Sequence, residues 1–265
     1  MKSQLSTTHG TIAVSDSGSG NPLVLLHGFL ENMDMWEELV APLQAQHRII
    51  RIDLPGHGAS PVVAETHTME LMADMVMQAL EQLGVQRFAL AGHSMGGYVS
   101  LALAEAHPEA VAGLCMMHST ATADSEEKKA NRLRAIAAVE DNHVAFVKEA
   151  IPNLFAPANV ARFPKAIARL QEVAAQTPAQ GIAAALRGMR ERPDRQDVVK
   201  GFACPVLWIV GRRDPAVPYA LMPNQLSLAR DSAALVLEST GHMGFVEAPV
   251  DVRFALEGFL EDVFA

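Results

Sequence analysis

The sequence predicts an α/β fold with a mostly parallel central sheet, helices on both faces and an inserted all-helical segment. Short apolar runs alternate with segments of helical spacing, as strands and crossover helices do. Several of these runs are rich in branched residues and end at glycine, which is typical of strands buried on both faces. Between about residues 121 and 199 the strand-like runs stop, and amphipathic helical patterns take their place.

The first third of the chain contains the first predicted strands and two predicted helices. The alternating run TIAVSDS predicts a half-exposed edge strand, and the runs PLVLLHG and RIIRIDLPGHG predict buried strands. Between the two buried strands, MDMWEELVAPLQAQ has helical spacing. In HTMELMADMVMQALEQLG, methionines and other apolar residues are spaced three or four positions apart, which predicts a helix with a methionine stripe on one face. Gly84 occupies the position of a C-terminal helix cap. We interpret this stripe as core packing rather than as a special binding face.

Further strand–helix units follow on either side of the helical segment. RFALAG predicts a strand, MGGYVSLALAEAHP a helix that Pro108 ends, and VAGLCMMHS another strand. The alternation resumes with the strand CPVLWIVG, a helix around YALMPNQLSLAR, the strand AALVLES and the helix PVDVRFALEGFLEDVF. We therefore divide the chain into core residues 1–120, a helical cap at 121–199 and core residues 200–265.

The helical segment consists of four amphipathic stretches separated by prolines. These stretches are DSEEKKANRLRAIAAVE, NHVAFVKEAI, PKAIARLQEVAAQ and AQGIAAALRGMRER. Decoration of the fold is one interpretation of such an insertion. We favour a lid, because the segment leaves the carboxyl edge of the sheet, where open α/β folds bind ligands.

Composition and charge argue against several classes of function. The 265 residues carry a formal net charge of −9, which disfavours a nucleic-acid partner because phosphate binding needs a basic surface. No apolar run approaches the roughly 18 residues of a membrane span, and residues 1–20 lack the apolar core of a signal peptide. Cys115 and Cys204 lie in or beside apolar strand-like runs, which indicates free thiols rather than a disulfide. We therefore expect a cytoplasmic location.

Histidines are numerous, but their spacing does not indicate a metal centre. The chain has ten of them, and the sequence contains no H-E-x-x-H motif or Cys/His pair with ligand spacing. The sequence therefore implies neither a metal ion nor another cofactor.

The most informative motif is GHSMGG, which follows the predicted strand RFALAG and opens the next helix. A nucleophile elbow holds its serine in a strained turn, so the residues two positions before and after it must be very small. Gly92 and Gly96 occupy those positions around Ser94. A glycine-rich connection with an incidental serine is the alternative. We interpret Ser94 as a nucleophile because a strand and a helix flank it.

A serine hydroxyl needs a base near neutral pH, and the base needs an orienting acid. In such sites the order along the chain is serine, acid, histidine. Asp214 follows the strand PVLWIVG and His242 follows the next strand, AALVLES, so both should reach the sheet edge of Ser94. A turn or cap aspartate and a surface-loop histidine are the alternatives. Two other histidines are weaker candidates for the base. His93 is expected to point away from Ser94, and the sequence around His118 offers no carboxylate to orient it.

Two backbone amides are candidates for an oxyanion hole. Met95 directly follows the nucleophile, and Gly28 permits a tight bend that could direct the Phe29 amide inward. His27 is expected to brace this loop. The cap also predicts an apolar acyl or alcohol pocket, lined by Phe146, Leu154, Phe155 and Met189.

Together these motifs resemble those of the α/β-hydrolase superfamily, in order and over essentially the whole chain. The matching stretches are LLHGF, DLPGHGAS, GHSMGG, GRRDPAVP and TGHMGFVEAP. The resemblance implies that Asp53 and His57 brace the DLPGHGAS loop. The roles it implies at the site are nucleophile for Ser94, acid for Asp214, base for His242, and oxyanion donors for the Phe29 and Met95 amides.

The leading hypothesis is a serine hydrolase that cleaves a small, apolar carboxylic ester through an acyl-enzyme intermediate. Serine at the elbow disfavours the haloalkane dehalogenases and epoxide hydrolases of this superfamily, which use aspartate there. A carbon–carbon bond hydrolase, a thioesterase or a lactonase would keep the same triad, so these alternatives stay open. A ligand sensor on a hydrolase fold is a further alternative, for which the sequence offers no positive sign.

Overall fold

The structure, a computed structural model, describes residues 2–265 and contains one eight-stranded sheet. Its strands in chain order are β1 (Lys2–Thr7), β2 (Gly10–Ser17), β3 (Asn21–Leu26), β4 (His47–Asp53), β5 (Phe88–His93), β6 (Val111–Met117), β7 (Val206–Gly211) and β8 (Ser232–Leu237). Across the sheet they lie in the order β1-β2-β4-β3-β5-β6-β7-β8. Neighbouring strands from β4 to β8 are parallel, whereas β1–β2 and β2–β4 are antiparallel pairs. The predicted mostly parallel sheet is confirmed.

Helices follow most of the strands. The α-helices are α1 (Glu37–Val40), α2 (Met69–Gln82), α3 (Met95–Ala106), α4 (Glu126–Ala150), α5 (Pro164–Ala175), α6 (Ala179–Glu191), α7 (Gln196–Gly201), α8 (Met222–Leu226), α9 (Gly244–Glu247) and α10 (Pro249–Val263). Short 3₁₀ helices occupy Met33–Trp36, Ala41–Ala45, Pro152–Leu154, Pro157–Arg162 and Tyr219–Leu221. In the described part of the chain, no helix is both long enough and apolar enough to cross a bilayer.

An apolar core lies on each face of the sheet. Alternate residues of β3 divide between the two cores: Val24 belongs to one and Leu25 to the other. Helices α2 and α3 cover the first core, and α10 covers the second. The predicted methionine stripe of α2 is part of the first core, since Met69, Met72 and Met75 are fully buried. The inner strands β5, β6 and β7 are therefore buried on both faces, as their apolar sequences predicted, whereas β1 and β8 at the two edges are partly exposed.

Three predicted elements differ from the structure. The run TIAVSDS forms β2, which is not an edge strand because β1 pairs along its outer side. The sequence of β1, KSQLST, is too polar and exposed to show strand alternation. The predicted helix MDMWEELVAPLQAQ is broken into two 3₁₀ turns around the four-residue α1, with Pro42 in the second turn. The first two cap segments form one helix, α4, interrupted at Asn142 (φ −156°, ψ 89°).

Helices α4 to α7 all lie between β6 and β7 in the chain, and α4 packs against α5 and α6. Helix α6 also contacts the loop that follows β4. There the His67 N–H donates to the Ala184 carbonyl at 3.1 Å. A Cβ on Gly188 of α6 would overlap the backbone of this loop, so the glycine permits the close approach. The helical segment thus covers the carboxyl edge of the sheet.

Candidate active site

Ser94 occupies the tight turn between β5 and α3, with backbone angles of φ 50° and ψ −112°. A positive φ is strained for a residue other than glycine. Small neighbours make the turn possible: a Cβ on Gly92 would overlap the backbone of Gly96, and one on Gly96 would overlap the last carbonyl of β3. The Ser94 N–H donates to the Met117 carbonyl at 2.9 Å. This is the geometry of a strained strand–helix turn that exposes its central side chain.

Asp214 follows β7, His242 follows β8, and their side chains form a hydrogen bond. His242 Nδ1–H donates to Asp214 Oδ2 at 2.8 Å, and Oδ1 accepts from the N–H groups of Ala216 and Val217, each at 2.8 Å. Burial alone would raise the pKa of Asp214, but the charge that His242 can carry, with hydrogen bonds from His118 and His242, lowers it far below its ordinary range. The carboxylate therefore stays ionised and orients the His242 ring.

Ser94 and His242 line one cavity of about 580 Å³. No hydrogen bond within residues 2–265 joins the Ser94 hydroxyl to His242 Nε2. In sites without a bound substrate such bonds are often long and tighten when the substrate is present. The structure therefore brings the predicted nucleophile and base to one cavity, with the predicted acid behind the base.

Of the two predicted oxyanion amides, that of Phe29 belongs to a residue of the cavity wall, and that of Met95 directly follows Ser94 in the chain. Within residues 2–265 neither the Phe29 nor the Met95 N–H donates a hydrogen bond. Met95 is the first residue of α3, so its N–H has no partner inside the helix. Phe29 lines the cavity, and the strained bend of its loop falls at Leu30 (φ 65°) rather than at Gly28. Neither N–H group is therefore engaged elsewhere in the described part of the chain.

A buried ion pair that sequence reasoning missed lies behind the Phe29 turn. Glu31 Oε2 accepts from the Gly28 N–H at 2.7 Å and lies 2.9 Å from His93 Nδ1, and His93 Nε2 lies 2.9 Å from the His242 carbonyl. The Glu31 and His93 side chains are 2% and 1% exposed. A Cβ on Gly28 would lie 2.6 Å from both Glu31 Oε2 and His93 Nδ1, so only glycine leaves room for the pair.

Charge determines how this pair bonds. Burial alone would lower the pKa of His93, but the Glu31 carboxylate, the hydrogen bond to it and the His242 carbonyl raise it. Burial alone would raise the pKa of Glu31, but the charge and hydrogen bond of His93 lower it. Both ring nitrogens of His93 face oxygen atoms that accept, the Glu31 carboxylate and the His242 carbonyl, so His93 is a histidinium that donates from both. It links the loops that carry Phe29, Ser94 and His242.

His118 is a second histidine on Asp214. Its Nδ1 lies 3.2 Å from Asp214 Oδ2, and its buried Nε2 has no partner within residues 2–265. Burial, opposed by Asp214, lowers the pKa of His118 to about 4, so the ring is neutral at pH 7. His118, Asp214 and His242 offer ligand atoms within 4.8 Å of one another. A metal ion bound through the two Nδ1 atoms and Asp214 would have to displace the protons that these nitrogens donate to the carboxylate.

Two of the four predicted pocket residues line the cavity, and two do not. Leu154 and Met189 belong to its walls. Phe155 instead packs inside the helical segment, where it is 1% exposed and its ring centre lies 6.2 Å from that of Phe163. Phe146 is half-buried against the core. Amphipathic spacing places apolar residues inside the helical segment but does not separate its core from its cavity wall, and this corrects the prediction for the two phenylalanines.

Three residues expected to brace loops make backbone hydrogen bonds. His27 Nδ1–H donates to the Gly28 carbonyl at 2.7 Å, and its Nε2 accepts from the Leu54 N–H at 2.9 Å. Both carboxylate oxygens of Asp53 accept backbone N–H groups, at 2.7 and 2.8 Å. His57 Nδ1 lies 3.2 Å from a backbone carbonyl, and burial lowers the pKa of His57 to about 3. These side chains hold the two loops that follow β3 and β4.

Comparison with known proteins finds similarity along most of the chain. A sequence profile described as alpha/beta hydrolase fold matches residues 21–249. A thermophilic esterase of known structure from Thermogutta terrifontis is 33% identical, covers 100% of both chains and has a TM-score of 0.93. The pimeloyl-[acyl-carrier protein] methyl ester esterase of Aeromonas hydrophila is 29% identical over 94% of this chain and 99% of its own. The dihydrolipoyllysine-residue acetyltransferase component of the acetoin cleaving system of Pseudomonas putida is 31% identical over 91% of this chain, but only 64% of its own length is matched.

Proposed function

The chain belongs to the α/β-hydrolase family, and on that basis we propose that it is a serine hydrolase that cleaves carboxylic esters. Similar proteins named as esterases support this reaction class. The observation that carries the proposal is the strained Ser94 on the wall of the cavity that His242 also lines. The buried Asp214 carboxylate orients that histidine.

The first half of the proposed reaction forms an acyl-enzyme. His242 Nε2 accepts the proton of the Ser94 hydroxyl, and Ser94 Oγ attacks the ester carbonyl carbon. The tetrahedral intermediate collapses, the bond from carbon to the alcohol oxygen breaks, and His242 returns the proton to the departing alcohol. Asp214 stays ionised throughout and holds the proton on Nδ1 of His242.

In the second half water replaces the alcohol. His242 Nε2 takes a proton from a water molecule, whose oxygen attacks the acyl carbon. The bond from carbon to Ser94 Oγ then breaks, the acid leaves, and Ser94 recovers its proton. In both halves the N–H groups of Phe29 and Met95, which are free of other partners within residues 2–265, donate to the negative oxygen. Each such donor is worth about 3–4 kcal/mol in the transition state.

The cavity suits a small ester with a hydrocarbon part. Its volume of about 580 Å³ lies within the range of about 300–1,000 Å³ typical of small-molecule sites. One wall is apolar, which supports binding of a hydrocarbon chain, and consists of Ala135, Ala150, Leu154, Leu186 and Met189. A second wall is charged, so an apolar substrate accounts for only part of the cavity.

We place this reaction in a reducing compartment, the cytoplasm. Both cysteines are free, and burial raises the pKa of the Cys115 thiol to about 12, so it is unreactive. Free buried thiols are the norm in reducing compartments. Recovery of the protein in the cytoplasmic fraction of its own cells would test this location.

The proposal is tested by replacing the nucleophile. Ser94→Ala should abolish steady turnover of p-nitrophenyl esters without lowering the melting temperature, because it removes only an unbonded hydroxyl. Ser227→Ala, at an exposed serine far along the chain, is the matched control and should keep full activity. An organophosphonate should label Ser94 and no other serine, as read by peptide mass spectrometry. Activity that persists in purified Ser94→Ala would overturn the assignment.

The same three residues could also hydrolyse thioesters, lactones or carbon–carbon bonds, and a panel of substrates distinguishes these reactions from ester cleavage. Simple esters, thioesters, lactones and a vinylogous diketone should be assayed side by side with the purified chain. Esters should give the highest kcat/KM; a higher value for another class would move the activity to that class. Stoichiometric binding of an ester without turnover would indicate a ligand sensor instead.

A further inference from the structure

One wall of the Ser94 cavity is cationic. Lys128 and Arg132, from the first two turns of α4, line it together with Tyr98 of α3. Behind them the guanidinium of Arg192 lies 3.9 Å from the centre of the Tyr98 ring. The proposed ester cleavage gives none of these side chains a role.

A single buried carboxylate, Asp124, pairs with all three cations. It contacts Arg132 Nε, Arg192 Nη1 at 2.7 Å and Lys128 Nζ at 3.9 Å. Burial alone would raise the pKa of Asp124, but the hydrogen bond and charge of Arg132, with Arg192 and Lys128, lower it, so it is ionised. Glu127 also lines the cavity but is exposed to solvent. The buried part of the cluster therefore carries more positive than negative charge, an arrangement that an additional anion would stabilise.

The cluster also has unused hydrogen-bond donors. Arg132 binds Asp124 through Nε and Nη2, which leaves Nη1 without a partner within residues 2–265. Lys128 donates to the Ala216 carbonyl at 3.1 Å, and an ammonium group has three donors. Burial alone would raise the pKa of Tyr98, but Arg192, Lys128 and Arg132 lower it. The three cations therefore lie close enough to Tyr98, a residue of the cavity wall, to act on its hydroxyl.

We propose that Lys128, Arg132 and Tyr98 bind a free carboxylate of the substrate, so that the enzyme prefers small esters that carry one. Lys128, Arg132 and Tyr98 line the same cavity of about 580 Å³ as Ser94. A small substrate whose ester carbonyl lies at Ser94 would therefore place its carboxylate against these side chains, with the carbon chain between them against the apolar wall. Arginine matches a carboxylate with two parallel N–H donors. This substrate class depends on the proposed ester cleavage.

Isosteric pairs of esters test the preference. Monomethyl glutarate is compared with methyl 4-carbamoylbutanoate, in which a neutral amide replaces the carboxylate. The second pair is 4-acetoxybutanoate and its amide. In this pair the carboxylate or amide belongs to the alcohol part of the ester, whereas in the first pair it belongs to the acyl part. We expect kcat/KM at pH 7.5 to favour the acid at least tenfold in one pair, which corresponds to about 1.4 kcal/mol. Ratios near or below one in both pairs would overturn the proposal.

A single substitution connects the preference to this wall. Lys128→Met is the variant of choice because this side chain is 34% exposed, whereas Arg132 is deeply engaged with Asp124. The acid-to-amide ratio of kcat/KM should fall at least threefold in Lys128→Met. Lys129→Met is the matched control, since Lys129 pairs with Glu126 at 2.8 Å and is not on the cavity wall; its ratio should stay unchanged. A merely structural Lys128 would lower both rates together and leave the ratio unchanged, which would also overturn the proposal.

A binding measurement shows whether the carboxylate site exists even if the proposed ester cleavage does not. If the chain turns over no ester at all, the proposed function fails. Calorimetry with the Ser94→Ala variant then measures the affinity for monomethyl glutarate and for its amide counterpart without chemistry. At least tenfold tighter binding of the acid supports the carboxylate site, and equal or weaker binding contradicts it.

Discussion

Replacing Glu31 with glutamine removes the negative charge beside His93 and keeps the shape of the side chain. Without that charge a histidinium with 1% exposure has no counter-ion, so His93 is expected to lose a proton. A neutral imidazole has one N–H group, whereas His93 now donates from both nitrogens, to Glu31 and to the His242 carbonyl. Because Glu31 Oε2 contacts both the Gly28 N–H and His93 Nδ1, the amide of Glu31→Gln cannot satisfy every partner, and one bond among those to Gly28, His93 and the His242 carbonyl must be lost.

The size of the effect follows from the burial of the pair. Removing one partner of a buried ion pair costs about 3–5 kcal/mol. In chains of about this length each kcal/mol lowers the melting temperature by about 2–4 °C, so we expect a decrease of roughly 10 °C. Whichever bond is lost, the loop of Phe29, the proposed oxyanion donor, is held less firmly relative to His242, the proposed base. A displacement of about 1 Å in such groups costs about 100-fold. We therefore expect kcat to fall about 10- to 100-fold, with a much smaller change in KM.

The assay is calorimetric melting and steady-state hydrolysis of a p-nitrophenyl ester. Glu38→Gln makes the same chemical change at a side chain that is 91% exposed and lies 3.5 Å from Arg169. An exposed pair contributes little, so this matched control should keep its melting temperature within about 2 °C and its kcat unchanged. A similar small effect in Glu31→Gln would show that the pair holds nothing in place.

The pair also predicts a difference at alkaline pH. The folded chain holds the His93 proton more tightly than the unfolded chain, whose histidine pKa is about 6.5. The stabilisation is therefore complete below pH 6.5 and is lost as the pH rises through the raised pKa of folded His93. The melting temperature of the unmodified chain should fall toward alkaline pH more steeply than that of Glu31→Gln. Parallel curves, together with a kcat within twofold of the unmodified chain, would show that the ion pair neither stabilises the fold nor positions the site.

The remaining predictions concern the acid, the second histidine and the turn. Asp214→Asn should lower kcat by about 10,000-fold with little change in KM, because an amide does not hold His242 in the required tautomer; a loss below tenfold in steady-state assays would contradict this role. The pKa of folded His118 is about 4, so the unfolded chain gains its proton first, and this residue should contribute about 3 kcal/mol to the fall in the free energy of unfolding between pH 6.5 and 4. Chemical denaturation should show a smaller fall in His118→Gln and an unchanged one in the exposed control His9→Gln. Gly96→Ala should lower the melting temperature by several degrees, because its Cβ overlaps backbone of β3, whereas Gly258→Ala, where nothing lies within 4 Å, should be neutral or slightly stabilising.

Much of the fold follows from local patterns. Apolar runs of strand length and amphipathic helical runs alternate, and burial on both faces requires the inner strands β5, β6 and β7 to be apolar along most of their length. The polar strand β1 was missed because it is exposed and pairs along one edge of the sheet. The helix expected around Pro42 was wrong because the proline interrupts helical hydrogen bonding. Hydrophobic patterns therefore predict the strands and helices that are buried, because burial restricts which residues they can contain.

The candidate nucleophile, acid and base were predictable for the same reason. The small residues around Ser94 are required by a local turn, and parallel strands bring the ends that carry Asp214 and His242 to one edge. The pocket residues were predicted less well. Phe146 and Phe155 have the apolar character of a pocket wall, yet only packing decides which apolar side chains of the helical segment reach the cavity.

By itself the sequence determined the alternation of strands and helices and the local chemistry at three strand ends. Tertiary structure alone decided the pairing of Glu31 with His93, 62 positions away, and of His93 with the His242 carbonyl, 149 positions away. It also decided that Asp124 is buried among three cations beside the cavity. The physical reason is that hydrophobic periodicity is encoded within a few residues, whereas the charge state of a buried group depends on its distance to partners that only the folded chain brings together.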